Sequence, residues 1–357
     1  MVKKMRYLLI FVPISLGFSY FRDGSIWSFI TSALAIIPLA ALMSSITDRL
    51  RNILGSSWGG IINVTFGNAT ELIISIFAIY DGLLNVVKAN ITGSIIMNLL
   101  LVLGMSFFLG GLRYQRQKFD KLLAITNSAM LMLAVIGMLI PAIFYFGSSN
   151  IKTLVLGKLS MGVGFVLFVT YLASLYFTLI FHEKEKKTFH FSKGSAGDSV
   201  RKKGEKGKLW YNVIYLFLTT IFIAVEASIL VGSIEIIQEG FNISPVFIGV
   251  IILPIISNVA ENMTAINMAR ADKIDLSITI AIGSSIQVSL FIVPLLIFFS
   301  HLIGRPMNVL FNLLEISSIG LSVLAINVVY LQGKSNWFEG LQLIAAYLII
   351  AIAFYFA

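Results

Sequence analysis

Two short runs hold the side chains best suited to chemistry: Gly67-Asn68-Ala69-Thr70-Glu71 and Ser257-Asn258-Val259-Ala260-Glu261, each setting an acid inside a long apolar stretch. Hydrocarbon penalises a carboxylate by about 2.5–3.5 kcal/mol on insertion scales, so an acid retained there marks a functional site. Near the two acids stand the neutral oxygen donors Asn68, Thr70, Asn98, Ser257, Asn258, Ser284, Ser285 and Gln287. Two carboxylates with amide and hydroxyl oxygens make a hard, doubly negative donor set. Ca²⁺ suits it, taking 6–8 oxygens at roughly 2.3–2.6 Å in flexible geometry. A softer metal has little to bind, because the chain has no Cys and only the scattered His182, His190 and His301. Glu71, Glu261, Asn68 and Asn258 are therefore the expected metal ligands. When the ion leaves, two neighbouring carboxyls in low dielectric cannot both stay ionised, and at least one takes a proton. One site then holds either metal or protons, which is antiport by competition.

Plainer roles are open to several of these residues. A lone intramembrane Glu can serve helix packing, and Asn98 and Gln287 can act as amide glue between helices. Gly93-Ser94 and Gly283-Ser284 serve either close packing or coordination. Glu226, a third acid, is read as a proton relay or gate. Glu235 and Glu239 are read as surface attractors for cations, and Glu315 is left without a role.

Such residues need a scaffold that crosses a bilayer. With 58% hydrophobic and 12% charged residues and a mean hydropathy of +0.93, the 357-residue chain is expected to be an all-α polytopic membrane protein. At about 20 apolar residues per crossing, eleven spans are placed near 5–21, 25–46, 59–80, 84–110, 121–146, 153–181, 209–237, 244–269, 274–302, 307–330 and 337–356. The basic start and apolar run to Tyr20 have a signal peptide's form, but no small-residue cleavage site precedes Arg22-Asp23-Gly24, so a retained helix is expected. The formal charge of +9 does not mark a nucleic-acid binder, since Lys and Arg fall in short connectors. Placing the N-terminus inside puts 21 of the 26 basic residues on the cytoplasmic side. That predicts an N-in, C-out protein of the cell membrane, partnered by the lipid bilayer, with no cofactor and no nucleic acid.

Sliding the second half against the first by 190 positions aligns Asn68 with Asn258, Glu71 with Glu261, Gly93 with Gly283 and Ser94 with Ser284, without a gap. The two motifs lie five spans apart and run in opposite directions. The predicted organisation is an extra N-terminal helix (1–24), a first five-helix repeat (25–181), a basic, disordered cytoplasmic linker (182–208) and a second, inverted repeat (209–357). Inverted repeats build secondary transporters, with substrate near the midplane and alternating access by rocking one half against the other. Gly67, Gly93, Pro254 and Gly283 predict helix breaks beside the acids, permitted only where they face a cavity.

The runs Gly67–Ile73, Gly93–Gly104, Ser257–Glu261, Gly283–Gln287 and Ser335–Gly340 resemble the cation/proton exchangers of the Ca²⁺/cation antiporter superfamily, typified by the Ca²⁺/H⁺ exchangers. The resemblance implies that Glu71 and Glu261 are shared Ca²⁺/H⁺ ligands and that Asn68, Asn98, Ser257, Asn258, Asn262, Ser284 and Gln287 line the path. Related Na⁺/Ca²⁺ exchangers usually place Pro before the motif Glu, where this chain has Thr70 and Ala260, so protons are the implied counter-ion. Two departures stand out: Ser257 where the family usually has Gly, and Asn262 where a His is usual. The competing expectations are Na⁺- or K⁺-coupled exchange and a passive cation channel. The missing nucleophile–base set argues against an intramembrane enzyme, and the missing phosphate-binding loop argues against an ATP-driven pump in this single chain.

Overall fold

The computed structural model describes residues 6–21, 25–147, 153–190 and 205–357. Among them, nine helices are long and apolar enough to span a bilayer, and the shorter apolar helices Tyr7–Phe21 and Ala69–Tyr80 complete the eleven crossings. Their helices in chain order are α1 (Tyr7–Phe21), α2 (Ile26–Phe66), α3 (Ala69–Tyr80), α4 (Leu84–Tyr114), α5 (Lys121–Gly147), α6 (Thr153–His190), α7 (Glu205–Gly232), the short α8 (Ile234–Phe241) that continues the crossing of α7, α9 (Pro245–Arg270), α10 (Ile274–Leu302), α11 (Leu313–Gln332) and α12 (Trp337–Phe356).

The second span is longer than its apolar run suggests. It continues to Gly55, whose φ of 79° only glycine adopts cheaply, and there α2 folds back on itself. Gly59 then lies so close to Arg51 that an added Cβ would sit 2.7 Å from its carbonyl oxygen. The returning crossing breaks at Gly67-Asn68 and resumes as α3.

The other expected breaks are absent. Gly93, Pro254 and Gly283 lie in continuous helix, and the backbone instead widens into π turns at Met97–Val102, Ile248–Ile252 and Val288–Ile292. Pro254 and Pro294 each follow one of these turns by two residues, where a widened backbone accommodates a ring that lacks an N–H. The tenth crossing begins at Leu313 rather than 307, after an irregular connector that holds Pro306. Both ends of the expected linker 182–208 are helical, since α6 continues to His190 and α7 starts at Glu205. Glu183-Lys184-Glu185-Lys186-Lys187 explains the extension, being built of strong helix formers with opposite charges four apart. Residues 191–204 lie outside the described residues.

Hydrogen bonds between connectors fix which ends share a face. β1 (Arg116–Lys118) pairs antiparallel with β2 (Lys334–Asn336), and Gln117 Nε2 donates to Ala269 O and Asp272 Oδ1, both at 2.9 Å. The α4–α5, α9–α10 and α11–α12 connectors therefore meet on one face, rich in Lys and Arg. On the other face Arg305 donates to Tyr80 O, and Lys88 Nζ donates to Asn308 Oδ1 at 2.6 Å and Leu310 O at 2.7 Å. This alternation is the one eleven crossings require. One apolar core, including Ile74, Leu99, Leu253 and Leu290, runs through both halves and holds the motif helices together.

Candidate cation site between the two halves

Glu71 sits in the first turn of α3, just past the Gly67-Asn68 break, and is 2% exposed. A helix N-terminus carries positive potential and unpaired N–H groups, so the break places an anion where the backbone favours one. Asn68 stands at the cap position but does not cap. Its Oδ1 instead accepts from Ser284 Oγ at 3.0 Å, across the boundary between halves. Glu71 Oε1 accepts from Ser94 Oγ and from Asn258 Nδ2, and Asn258 Nδ2 also lies 3.4 Å from Ser94 Oγ. Each motif Asn thus meets the Ser of the opposite half, as an inverted two-fold demands.

Glu261 differs from its mate. It is partly exposed and lies in the middle of continuous helix, in α9, with Ser284 beside it. The two carboxyls are near enough to act on each other electrostatically. Three buried polar atoms in this region, Asn68 Nδ2, Glu71 Oε2 and Asn98 Nδ2, have no hydrogen-bond partner in the structure. Buried polar atoms are rarely left orphaned, so their gathering between the halves marks a place for a polar or charged occupant.

The halves are closed at one end and open at the other. On the face opposite the basic connectors, Gly93 packs so tightly on the Val250 backbone that a Cβ would collide with it, and one on Gly249 would meet Ala89 Cβ at 2.5 Å. Gly283, the repeat mate of Gly93, would meet nothing within 4 Å. Gly283 is exposed, as are Thr264 and Thr279 towards the basic face, and Glu261 is partly exposed where Glu71 is buried.

A family model for the sodium/calcium exchanger protein matches residues 24–180 and 211–356. The chain belongs to the sodium/calcium exchanger family. It is 41% identical over 355 residues to a Ca²⁺/H⁺ antiporter of Aphanothece halophytica, covering 98% of this chain and 95% of that one. It is 39% identical over 345 residues to the Ca²⁺/H⁺ antiporter ChaA of Bacillus subtilis strain 168, covering 96% of each. Among solved structures it matches native YfkE with a TM-score of 0.85 at 36% identity, over 99% of both chains. This exchanger-family chain is accordingly a multi-pass integral membrane protein of a transporter family.

The remaining candidate residues of the exchanger fall into three groups. Asn68, Asn258 and Ser284 gather with the two acids, and Asn98 is buried on α4 one turn beyond Ser94. Asn262 is partly exposed, and its Nδ2 lies 3.7 Å from Met97 Sδ. Ser257 and Gln287 are turned to backbone: Ser257 Oγ to Pro254 O at 3.4 Å, and Gln287 Nε2 to Val64 O, where it braces the end of α2 before the break. Glu226 lies away from the centre, fully buried on α7. Glu235 and Glu239 are exposed at the end of that crossing. Glu315 closes a capping box with Asn312, each backbone N–H bonded to the other side chain at 2.8 Å. The signal for that role was Asn312-x-x-Glu315 itself. Ser94 holds Glu71 directly, a role signalled by its alignment with Ser284.

Proposed function

We propose that this chain exchanges Ca²⁺, or a similar divalent cation, for protons by alternating access, with Glu71 and Glu261 forming one site for either cargo. The observation that carries the reading is the joint hold on Glu71, by Ser94 from its own half and Asn258 from the other. A carboxylate gripped by both halves senses their relative position. With protons aboard, the acids are neutral and tolerate the low-dielectric midplane. With Ca²⁺ aboard, the ion neutralises them, with Asn68, Asn98 and Asn258 able to add oxygens. The doubly charged empty site is the costly state, and that cost couples the two fluxes.

The open end of the path lies on the face rich in Lys and Arg, which the positive-inside rule makes cytoplasmic. The arrangement is then an inward-facing exchanger of the cell membrane, loading its divalent cargo from the cytoplasm for export. Its relatives named as Ca²⁺/H⁺ antiporters support the choice of cargo and counter-ion. The test is ⁴⁵Ca²⁺ uptake by proteoliposomes. An imposed pH gradient drives accumulation if the reading holds. Accumulation driven only by Na⁺ or K⁺ replaces the counter-ion, and conduction without any gradient coupling overturns exchange.

A further inference from the structure

We infer that Glu226 is a second proton-binding site of the exchanger, separate from the Glu71/Glu261 centre and built between α7 and the extra helix α1. The inference rests on the exchange reading above. Glu226 is 0% exposed, and neither carboxyl oxygen has a hydrogen-bond partner in the structure. It faces Ser15 of α1, itself 0% exposed, with its hydroxyl unpartnered. An ionised carboxylate so placed would be uncompensated, and such a group takes up a proton rather than stay charged.

Two alternatives fail on what surrounds it. A metal cation would need several more oxygens, and the contact supplies one serine hydroxyl, with the apolar Val12 on α1 and Ile223 on α7 one turn from the pair. A packing role does not require an acid, because Ile36, at the repeat position of Glu226, is also 0% exposed and is buried without a polar atom. Among the described residues Ser15 is the polar side chain that meets Glu226: α1 has its tyrosines, Tyr7 and Tyr20, near its two ends, α2 carries its ionisable Asp48, Arg49 and Arg51 near the opposite end, and α3 has Glu71 in its first turn and Tyr80 at its last residue. Ionisation would need water to enter between α1 and α7. The proton on Glu226 therefore holds the packing described here, and its release loosens the contact of α1, a helix outside the repeat, with α7.

The test uses the full chain in proteoliposomes, with Glu226→Gln and Glu226→Ile. The second variant copies the apolar residue the fold accepts at position 36, so it keeps the question answerable if Gln packs poorly. Expected are intact Ca²⁺ binding, a fall of about tenfold in pH-driven ⁴⁵Ca²⁺ flux and a flatter pH profile, with Glu226→Asp retaining the wild-type profile. In infrared spectra, a protonated-carboxyl band that persists in Glu71→Gln/Glu261→Gln is expected to vanish when Glu226→Gln or Glu226→Ile is added. Wild-type flux and pH profile in both single variants, or no band lost with Glu226, would overturn the second site. Absence of pH-driven flux in the wild type would instead overturn the exchange reading itself.

Discussion

Glu71 and Glu261 occupy the same register of an inverted repeat, yet the helices that carry them are built differently. Glu71 stands at a fresh helix N-terminus created by Gly67-Asn68, is 2% exposed, and is held by side chains from both halves. Glu261 stands mid-helix, without that end potential, and is open towards the basic face. The packing around them is unequal in the same sense, with Gly93 pressed on Val250 and Gly283 facing open space. Under the proposed exchange, matched Asn-x-x-Glu motifs in unlike settings correspond to one pose of a machine whose other pose exchanges the two environments. The inequality is a state of the molecule as well as a property of its sequence.

The comparison can be broken most severely at the acids. Glu71→Gln and Glu261→Gln are each expected to reduce pH-driven ⁴⁵Ca²⁺ flux at least 100-fold, since either removes a charge the cargo must neutralise. A hydrophilic carbodiimide sharpens the contrast: mass spectrometry should find Glu261 modified well before Glu71, and Ca²⁺ should protect it. Equal labelling would contradict the sealed and open sides.

The glycines come next. Gly93→Ala inserts a methyl against the Val250 backbone, and overpacking of this kind costs about 1–3 kcal/mol, so a lower melting temperature is expected. Gly283→Ala meets nothing here, so stability should hold. Transport should still fall about tenfold, because the opposite pose presses that position into contact. Full activity of Gly283→Ala would show that the halves do not exchange environments.

The serines distinguish the two sides more gently. Ser94→Ala removes a donor from a sealed carboxylate, a loss of about 1–3 kcal/mol, so flux should fall roughly tenfold. Ser284→Ala should cost less, because water reaches its side of the site. The smallest effect is expected for Ser257→Ala, within about 0.5 kcal/mol and with near-normal flux, because its hydroxyl is returned to its own helix.

Much of this was legible in the sequence. Hydropathy marks each crossing, and the fixed offset of 190 carries Asn68 onto Asn258 and Glu71 onto Glu261, which brings both motifs to one place once the halves are inverted. The cross-pairing of each Asn with the opposite Ser was less legible, because a one-dimensional repeat says which residues are equivalent and not which touch. The expected helix breaks at Gly93, Pro254 and Gly283 are absent for a related reason. Gly and Pro permit a break, but Gly93 is used for close approach and Pro254 is absorbed by a wide turn, choices settled by the neighbouring helix. Glu226 illustrates the same limit, since its position in the chain gave no sign that α1 would face it with Ser15.

The central claim is that metal and protons compete for one site. Calorimetric titration of the purified protein with Ca²⁺, in buffers of different ionisation enthalpy, counts the protons released per ion bound. The account predicts net proton release from the wild type, Ca²⁺ affinity that rises as pH rises, and loss of both in Glu71→Gln and Glu261→Gln. Tight Ca²⁺ binding with no proton release at any pH would contradict it.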